Sequence, residues 1–157
     1  MNTRKIYIAV VCISIPILVG ALAGYATATG VDSWYAGLNK PTFNPPNWVF
    51  APVWTTLYTL MGVSLYLVVV RSAGAVRSNG ILVFGIQLAL NFIWSFLFFY
   101  FEWVGIALID IIFLWIAIIW MIRVFWKIYP LAAYLQVPYL CWVTFATVLN
   151  ASIWMLN

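Results

Sequence analysis

Histidine is absent from this chain of 157 residues, and acids nearly so: Asp32, Glu102 and Asp110 are the only three. A first-row metal site draws on imidazole, thiolate and carboxylate, so few ligands remain to build one. General acid–base catalysis is equally short of material, and no nucleophile–base pair or cofactor loop is visible. Charge of either sign is thin, at 6% of residues against about a quarter in soluble domains. Only two cysteines occur, Cys12 and Cys141. Both sit in apolar runs, where a thiol behaves as a small hydrophobe, so no disulfide is implied. The net charge of +4 would raise nucleic acid as a partner of a soluble protein. Here the basic residues stand at the ends of apolar runs, and no nucleic-acid partner is expected.

What is abundant is apolar surface: 67% of residues are hydrophobic and 19% aromatic. The apolar runs lack the alternation of barrel strands, which leaves helices as the spanning element. The sequence therefore predicts an all-α integral membrane protein, in contact with a lipid bilayer, built as a single bundle of five transmembrane helices. Each span is near the ~20 residues that cross the hydrocarbon core. They are read at 6–27, 47–70, 81–101, 104–125 and 131–156 of a single domain over 1–157. The first run follows Arg4 and Lys5, as a secretory signal would. It exceeds the roughly 7–15 residues of such a signal's apolar region and contains Pro16, so it is read as a retained span. Residues 72–80 (SAGAVRSNG) read as a polar turn, and the stretch Lys127 to Pro130 as a helix break.

Six basic residues (Arg4, Lys5, Arg71, Arg77, Arg123, Lys127) fall on the side of the N-terminus and only Lys40 on the other. In a bacterial-type inner membrane this bias predicts a cytoplasmic N-terminus, with the first loop and the C-terminus outside.

Polar residues within spans ask for a partner or a function. Gln87, Asn91 and Ser95, at i, i+4 and i+8, share one helix face, which Trp94 joins. Two readings stand: amide glue between helices, at ~0.6 kcal/mol each, or polar groups that orient a ligand in an apolar pocket. Asp110 is the sole acid inside a span, and the favoured reading is a structural bond to Tyr, Trp or backbone N–H of a neighbour. Trp54 and Tyr58 form an i, i+4 aromatic pair, and Trp142, Phe145, Ala146, Leu149 and Asn150 form a stripe on the last span. Such stripes are commonly packing. Yet Trp54, Trp94 and Trp142 lie well inside their spans rather than in the interfacial belts, which suits a flat aromatic ligand. Gly20 and Gly24 make a small-x-x-x-small pattern, read either as packing within the bundle or as a dimer contact.

The first loop, 28–46, is not apolar filler. Trp34, Tyr35, Lys40, Pro41, Phe43, Pro45 and Pro46 precede the second span. Proline fixes φ and removes a donor, so 41–46 reads as a stiff, extended lead-in, and the loop as a lid over a cavity.

These residues carry a family resemblance. The loop (Trp34, Tyr35, Leu38, Lys40, Pro41, Phe43, Pro45, Pro46, Trp48) runs into Pro52, Trp54, Tyr58, Met61 and Gly62. Gln87 to Asn91 and Trp94, Ala107 to Asp110, and Pro138, Tyr139, Trp142, Phe145, Ala146, Leu149 and Asn150 follow in order. Together they resemble the TspO/translocator-protein family, also called tryptophan-rich sensory proteins or peripheral benzodiazepine receptors, in a bacterial-type member. The resemblance implies five helices around an apolar pocket that opens toward the first loop, commonly in a homodimer. It implies binding of porphyrins such as protoporphyrin IX and haem, and of isoquinoline carboxamides, with no cofactor required. It places Trp54, Asn91, Trp94, Trp142, Ala146 and Leu149 in the pocket, beside the Tyr58 read from the aromatic pair. Trp34, Tyr35, Pro41, Pro45 and Pro46 would form the lid. Two departures bear on ligands. The animal cholesterol motif needs a Tyr and a basic residue after Leu149 and Asn150, and neither follows, so cholesterol is not expected by that route. Asn44 and Asn47 stand where animal members carry histidine, so haem would be held by stacking and shape.

Three functions follow as expectations. The first is a membrane receptor or sensor for tetrapyrroles that regulates their handling or a stress response. The second is light-dependent porphyrin breakdown, in which Trp54 and Trp142 are the only catalytic candidates. The third is a small porphyrin or sterol transporter, against which the lack of an internal repeat counts.

Overall fold

A computed structural model describes residues 3–157. It contains five helices long and apolar enough to cross a membrane. Helix α1 (Thr3–Gly30) is followed by a one-turn helix α2 (Trp34–Gly37) in the first loop. A 3-10 turn (Asn47–Val49) leads into α3 (Phe50–Arg71), then α4 (Gly74–Ser95), which ends in a π-helical turn (Phe96–Tyr100). Helix α5 (Val104–Ile128), the short α6 (Pro130–Tyr134) and α7 (Val137–Leu156) complete the chain. At ~1.5 Å per residue, even the 20 residues of α7 match a hydrocarbon core about 30 Å thick.

Helix α1 packs on α3 and α4, α5 packs on α4 and α7, and α3 meets α6. Their shared interior holds Met61, Val68, Val83, Ile111, Ile118, Met121, Phe125, Val143 and Ile153, each fully buried. The opposite faces expose Val10, Leu18, Leu22, Ile112, Phe113 and Ile116. Apolar side chains outside as well as inside mark an integral, multi-pass membrane protein, because lipid is the solvent that accepts both.

Two local features explain the closest helix contact. Pro16 lies within α1 and has no N–H to offer the carbonyl of Cys12. Gly62 of α3 comes against that turn: a Cβ on it would sit 2.5 Å from Ile13 Cα and 3.1 Å from the Cys12 oxygen. Only glycine fits there.

The spans differ from the sequence reading at their ends. Residues 72–80 are not a turn, because α4 begins at Gly74. Arg77 donates through Nε to the Ser72 carbonyl at 2.8 Å, and its Nη2 reaches the same oxygen, which caps the preceding helix and starts the next. These polar residues are turns of helix rather than loop. The break near Pro130 extends further: α6 bends again at Leu135 and Gln136 before α7. Pro138 stands at the start of α7, where its missing donor is tolerated.

Candidate ligand site

The lid is built from short-range polar contacts. Lys40 Nζ donates to the carbonyls of Tyr35 (2.6 Å), Ala36 (3.0 Å) and Leu38 (3.2 Å), which caps α2 with a cation. The same ammonium lies 5.0 Å from the centroid of the Tyr35 ring. Tyr35 is 1% exposed and its hydroxyl donates to Asn44 Oδ1 at 2.5 Å. Burial pushes its phenol up to about 12. The proline segment is a turn followed by extended chain, since Asn44 N–H bonds to the Pro41 carbonyl at 3.0 Å. Asn47 Nδ2 donates to Asp32 at 3.2 Å. At the far edge, Asn157 holds Asn39: its Oδ1 accepts from the Asn39 N–H and its Nδ2 donates to the Asn39 carbonyl, both at 3.0 Å.

Beneath Tyr35 lies a small inner cavity of about 20 Å³. Phe50 and Trp54 of α3, Trp94 of α4, Phe98 and Phe99 of the π-turn, and Trp142, Phe145, Ala146, Leu149 and Asn150 of α7 surround it. None of these carries a charge. The rings meet mostly edge to face: Trp54 and Trp142 at 6.5 Å and 87°, Phe50 and Trp142 at 6.0 Å and 77°. Trp94 stacks on Phe98 at 5.3 Å, and its indole N–H donates to Asn150 Oδ1 at 3.1 Å. Asn150 Nδ2 in turn donates to the Val104 carbonyl at 3.0 Å, which ties α4, α5 and α7 together at one point. Phe50 and Trp54 also form a wall of a second cavity, about 390 Å³, between α1 and α3. Small residues of α1 (Gly20, Ala21, Ala23, Gly24, Ala28) make its other side, with Tyr58 and Ser95 among the remainder.

Of the residues expected in the pocket, Trp54, Trp94, Trp142, Ala146 and Leu149 line the inner cavity. Tyr58 instead lines the α1–α3 cavity, and its hydroxyl donates to Asn91 Oδ1 at 2.5 Å. Asn91 is fully buried beneath both spaces and lines neither. In the lid, Tyr35 reaches the inner cavity and Trp34 packs on Phe98 at 5.7 Å. Pro41, Pro45 and Pro46 are off the lining of both cavities and shape the loop. Phe98 and Phe99 were not legible as pocket residues, because the run FLFFY offers no contrast in hydrophobicity to mark which rings face inward. The contribution of α1 was hidden by its uniform apolarity.

The polar residues divide. Asn91 bridges α4 to α3 through Tyr58, as interhelical glue would. Both side-chain polar atoms of Gln87, and Oδ2 of Asp110, have no hydrogen-bond partner among the described residues. The structural bond expected of Asp110 is thus not found at that oxygen. Tyr139 Oη lies beside the Asn91 amide but outside bonding geometry. Gly20 packs against the Tyr58 ring inside the bundle, whereas a Cβ on Gly24 would meet nothing within 4 Å. The arrangement supplies aromatic faces and a few polar groups, a lining on which a flat ring can stack.

A sequence model described as the TspO/MBR family matches residues 12–155. The chain is 40% identical to tryptophan-rich protein TspO of Archaeoglobus fulgidus, over 100% of this chain and 99% of that one. It is 41% identical to the human translocator protein over 79% of this chain and 75% of that one. To a tryptophan-rich sensory protein of Cereibacter sphaeroides it is 38% identical over 87% of each. This kinship supports a membrane receptor or sensor role. With the lid, the five spans and the tryptophan-lined cavity in place, the chain belongs to the TspO/MBR family.

Proposed function

We propose that the protein is a membrane receptor or sensor for porphyrin-type tetrapyrroles, protoporphyrin IX and haem. In this reading it also takes flat isoquinoline-carboxamide ligands, and it regulates tetrapyrrole handling or a stress response. The observation that carries the reading is the convergence of Trp54, Trp94 and Trp142 on one apolar cavity under Tyr35. Indole faces give a flat macrocycle large contact area with little entropy to lose. Trp54 turns one side to this cavity and the other to the α1–α3 cavity, whose 390 Å³ falls in the ~300–1,000 Å³ range of ligand sites. With no histidine in the chain, haem iron gains no imidazole, and affinity rests on stacking and shape.

The basic residues at the Arg71, Arg77, Arg123 and Lys127 end support a cytoplasmic N-terminus and an external lid. A homodimer, which the family resemblance implies, belongs to the same reading. The test is a titration of protoporphyrin IX into the purified protein, read by tryptophan quenching. Saturable quenching that weakens in Trp142→Leu supports the reading, and its absence in the wild type rejects it.

A second reading, light-dependent porphyrin breakdown, draws on the near-perpendicular Trp54 and Trp142 pair, 6.5 Å apart. The ligand's own absorption would supply the energy, with these two indoles as redox partners. Light-driven loss of the porphyrin Soret band should then vanish in Trp54→Phe, and an unchanged rate in that variant would sink it.

A further inference from the structure

The inference here rests on the pocket reading above and concerns what opens the pocket. At about 20 Å³ the inner cavity is far below the roughly 150 Å³ that admits a benzene ring. Some lining side chain has to yield. Several are tethered. Tyr35 is held by Asn44, Trp94 by Asn150, and Trp54 stacks at 5.5 Å on Tyr58, itself fixed by Asn91. Phe98 and Phe99, like Phe50, Trp142 and Phe145, have no polar tether, but they alone of the lining stand on the π-helical turn Phe96–Tyr100.

That turn is a local irregularity with its own signature. Phe101 N–H bonds back five residues to the Phe96 carbonyl at 2.9 Å, and Glu102 follows at φ 61°, a conformation that non-glycine residues seldom adopt. Adjacent residues on an α-helix point about 100° apart. The wider turn narrows that angle, and both rings are buried, at 3% and 4% exposure. Phe98 stacks on Trp94 while Phe99 sits 5.7 Å from Tyr35, directly under the lid. Turns of this kind concentrate at functional sites, where a one-residue register step is available to the backbone. The end of α1 props this one: Gly30 lies against the Phe99 carbonyl with no room for a Cβ.

We infer that Phe98 and Phe99, carried on the Phe96–Tyr100 π-turn, are a movable aromatic plug that sets the size of ligand the pocket admits. A step of this turn toward α register rotates the two rings off Trp94 and Tyr35 and frees their volume. Any flat aromatic ligand needs this movement, and a macrocycle needs more of it than an isoquinoline carboxamide. The two phenylalanines are therefore specificity-determining residues, and Gly30 positions them from outside the pocket.

Protoporphyrin IX and an isoquinoline carboxamide are titrated in competition into the purified full-length chain. Phe98→Ala and Phe99→Ala are expected to shift the ratio of the two affinities toward porphyrin by about tenfold or more. Gly30→Ala, which touches no ligand, is expected to shift the ratio as well. A merely structural defect weakens both ligands alike and leaves the ratio in place. Should the alanine variants not fold, Phe98→Leu and Phe99→Leu give a smaller shift of the same sign. If the wild type binds, Trp142→Leu weakens binding and the ratio holds in every plug variant, the plug is wrong while the pocket stands. If the wild type binds neither probe saturably, the pocket reading fails and the plug falls with it.

Discussion

Replacing Tyr58 with Phe removes one hydroxyl from the middle of the bundle, and its cost follows from what is left behind. Asn91 is fully buried, and its Nδ2 already has no partner. Without the Tyr58 donor at 2.5 Å, its Oδ1 is orphaned too. An orphaned buried polar group costs about 1–3 kcal/mol, tempered in membranes, where measured interhelical bonds run from about 0.6 to 1.7 kcal/mol. Asn91→Leu is the informative counterpart. It strands the Tyr58 hydroxyl but also removes the unpaired Nδ2, so its penalty is expected to be smaller. The double variant removes all three groups and is expected to be less destabilised than the sum of the singles, with a coupling of about 0.6–1.7 kcal/mol. Reversible unfolding in mixed micelles measures all four proteins. A coupling near zero, or a larger loss in Asn91→Leu than in Tyr58→Phe, would refute the reasoning.

Other outcomes follow from the same geometry. Gly62→Ala is expected to destabilise the fold by about 1–3 kcal/mol, because the neighbours of the new Cβ are the Ile13 Cα and the Cys12 carbonyl, which are backbone; a thermal melt in detergent checks it. The lid should be alkali-sensitive. Tyr35 titrates at about 12 in the fold and at about 10 unfolded, so its share of stability is complete below pH 10 and is lost as pH rises toward 12. That share is at most about 2–3 kcal/mol. Proteolysis of the loop followed against pH should show the step, and Tyr35→Phe should remove it; a step that survives the substitution contradicts the assignment.

The parts of this protein that were legible in its sequence are those governed by a long-range rule. Some twenty apolar residues must be helical in a bilayer, and five such runs announce five spans. Trp54, Trp94, Trp142, Ala146 and Leu149 were legible through a resemblance, and they meet at one cavity. What escaped depends on local register. The start of α4 at Gly74 was hidden because residues 74–80 are small and polar, and polarity alone does not separate a turn of helix from a loop. Phe98 and Phe99 sit in the run FLFFY, where every ring has the same hydrophobicity. Only the π-turn decides which of them face inward. The roles of Tyr58 and Asn91 were foreseen as pocket wall, but one hydrogen bond between them turns Asn91 into a support beneath it. Such pairings depend on how helices approach, and here Gly20 of α1 leaves the room that the Tyr58 ring occupies.

The central claim, that Trp54, Trp94 and Trp142 form a tetrapyrrole site, is tested most directly by comparing two tryptophans. Trp142 faces the inner cavity, and Trp48 in the 3-10 turn before α3 is 74% exposed. In a protoporphyrin IX titration, Trp142→Leu should raise the Kd by about tenfold, roughly 1.4 kcal/mol, while Trp48→Leu leaves it unchanged. Equal affinities in the wild type and Trp142→Leu would contradict the account.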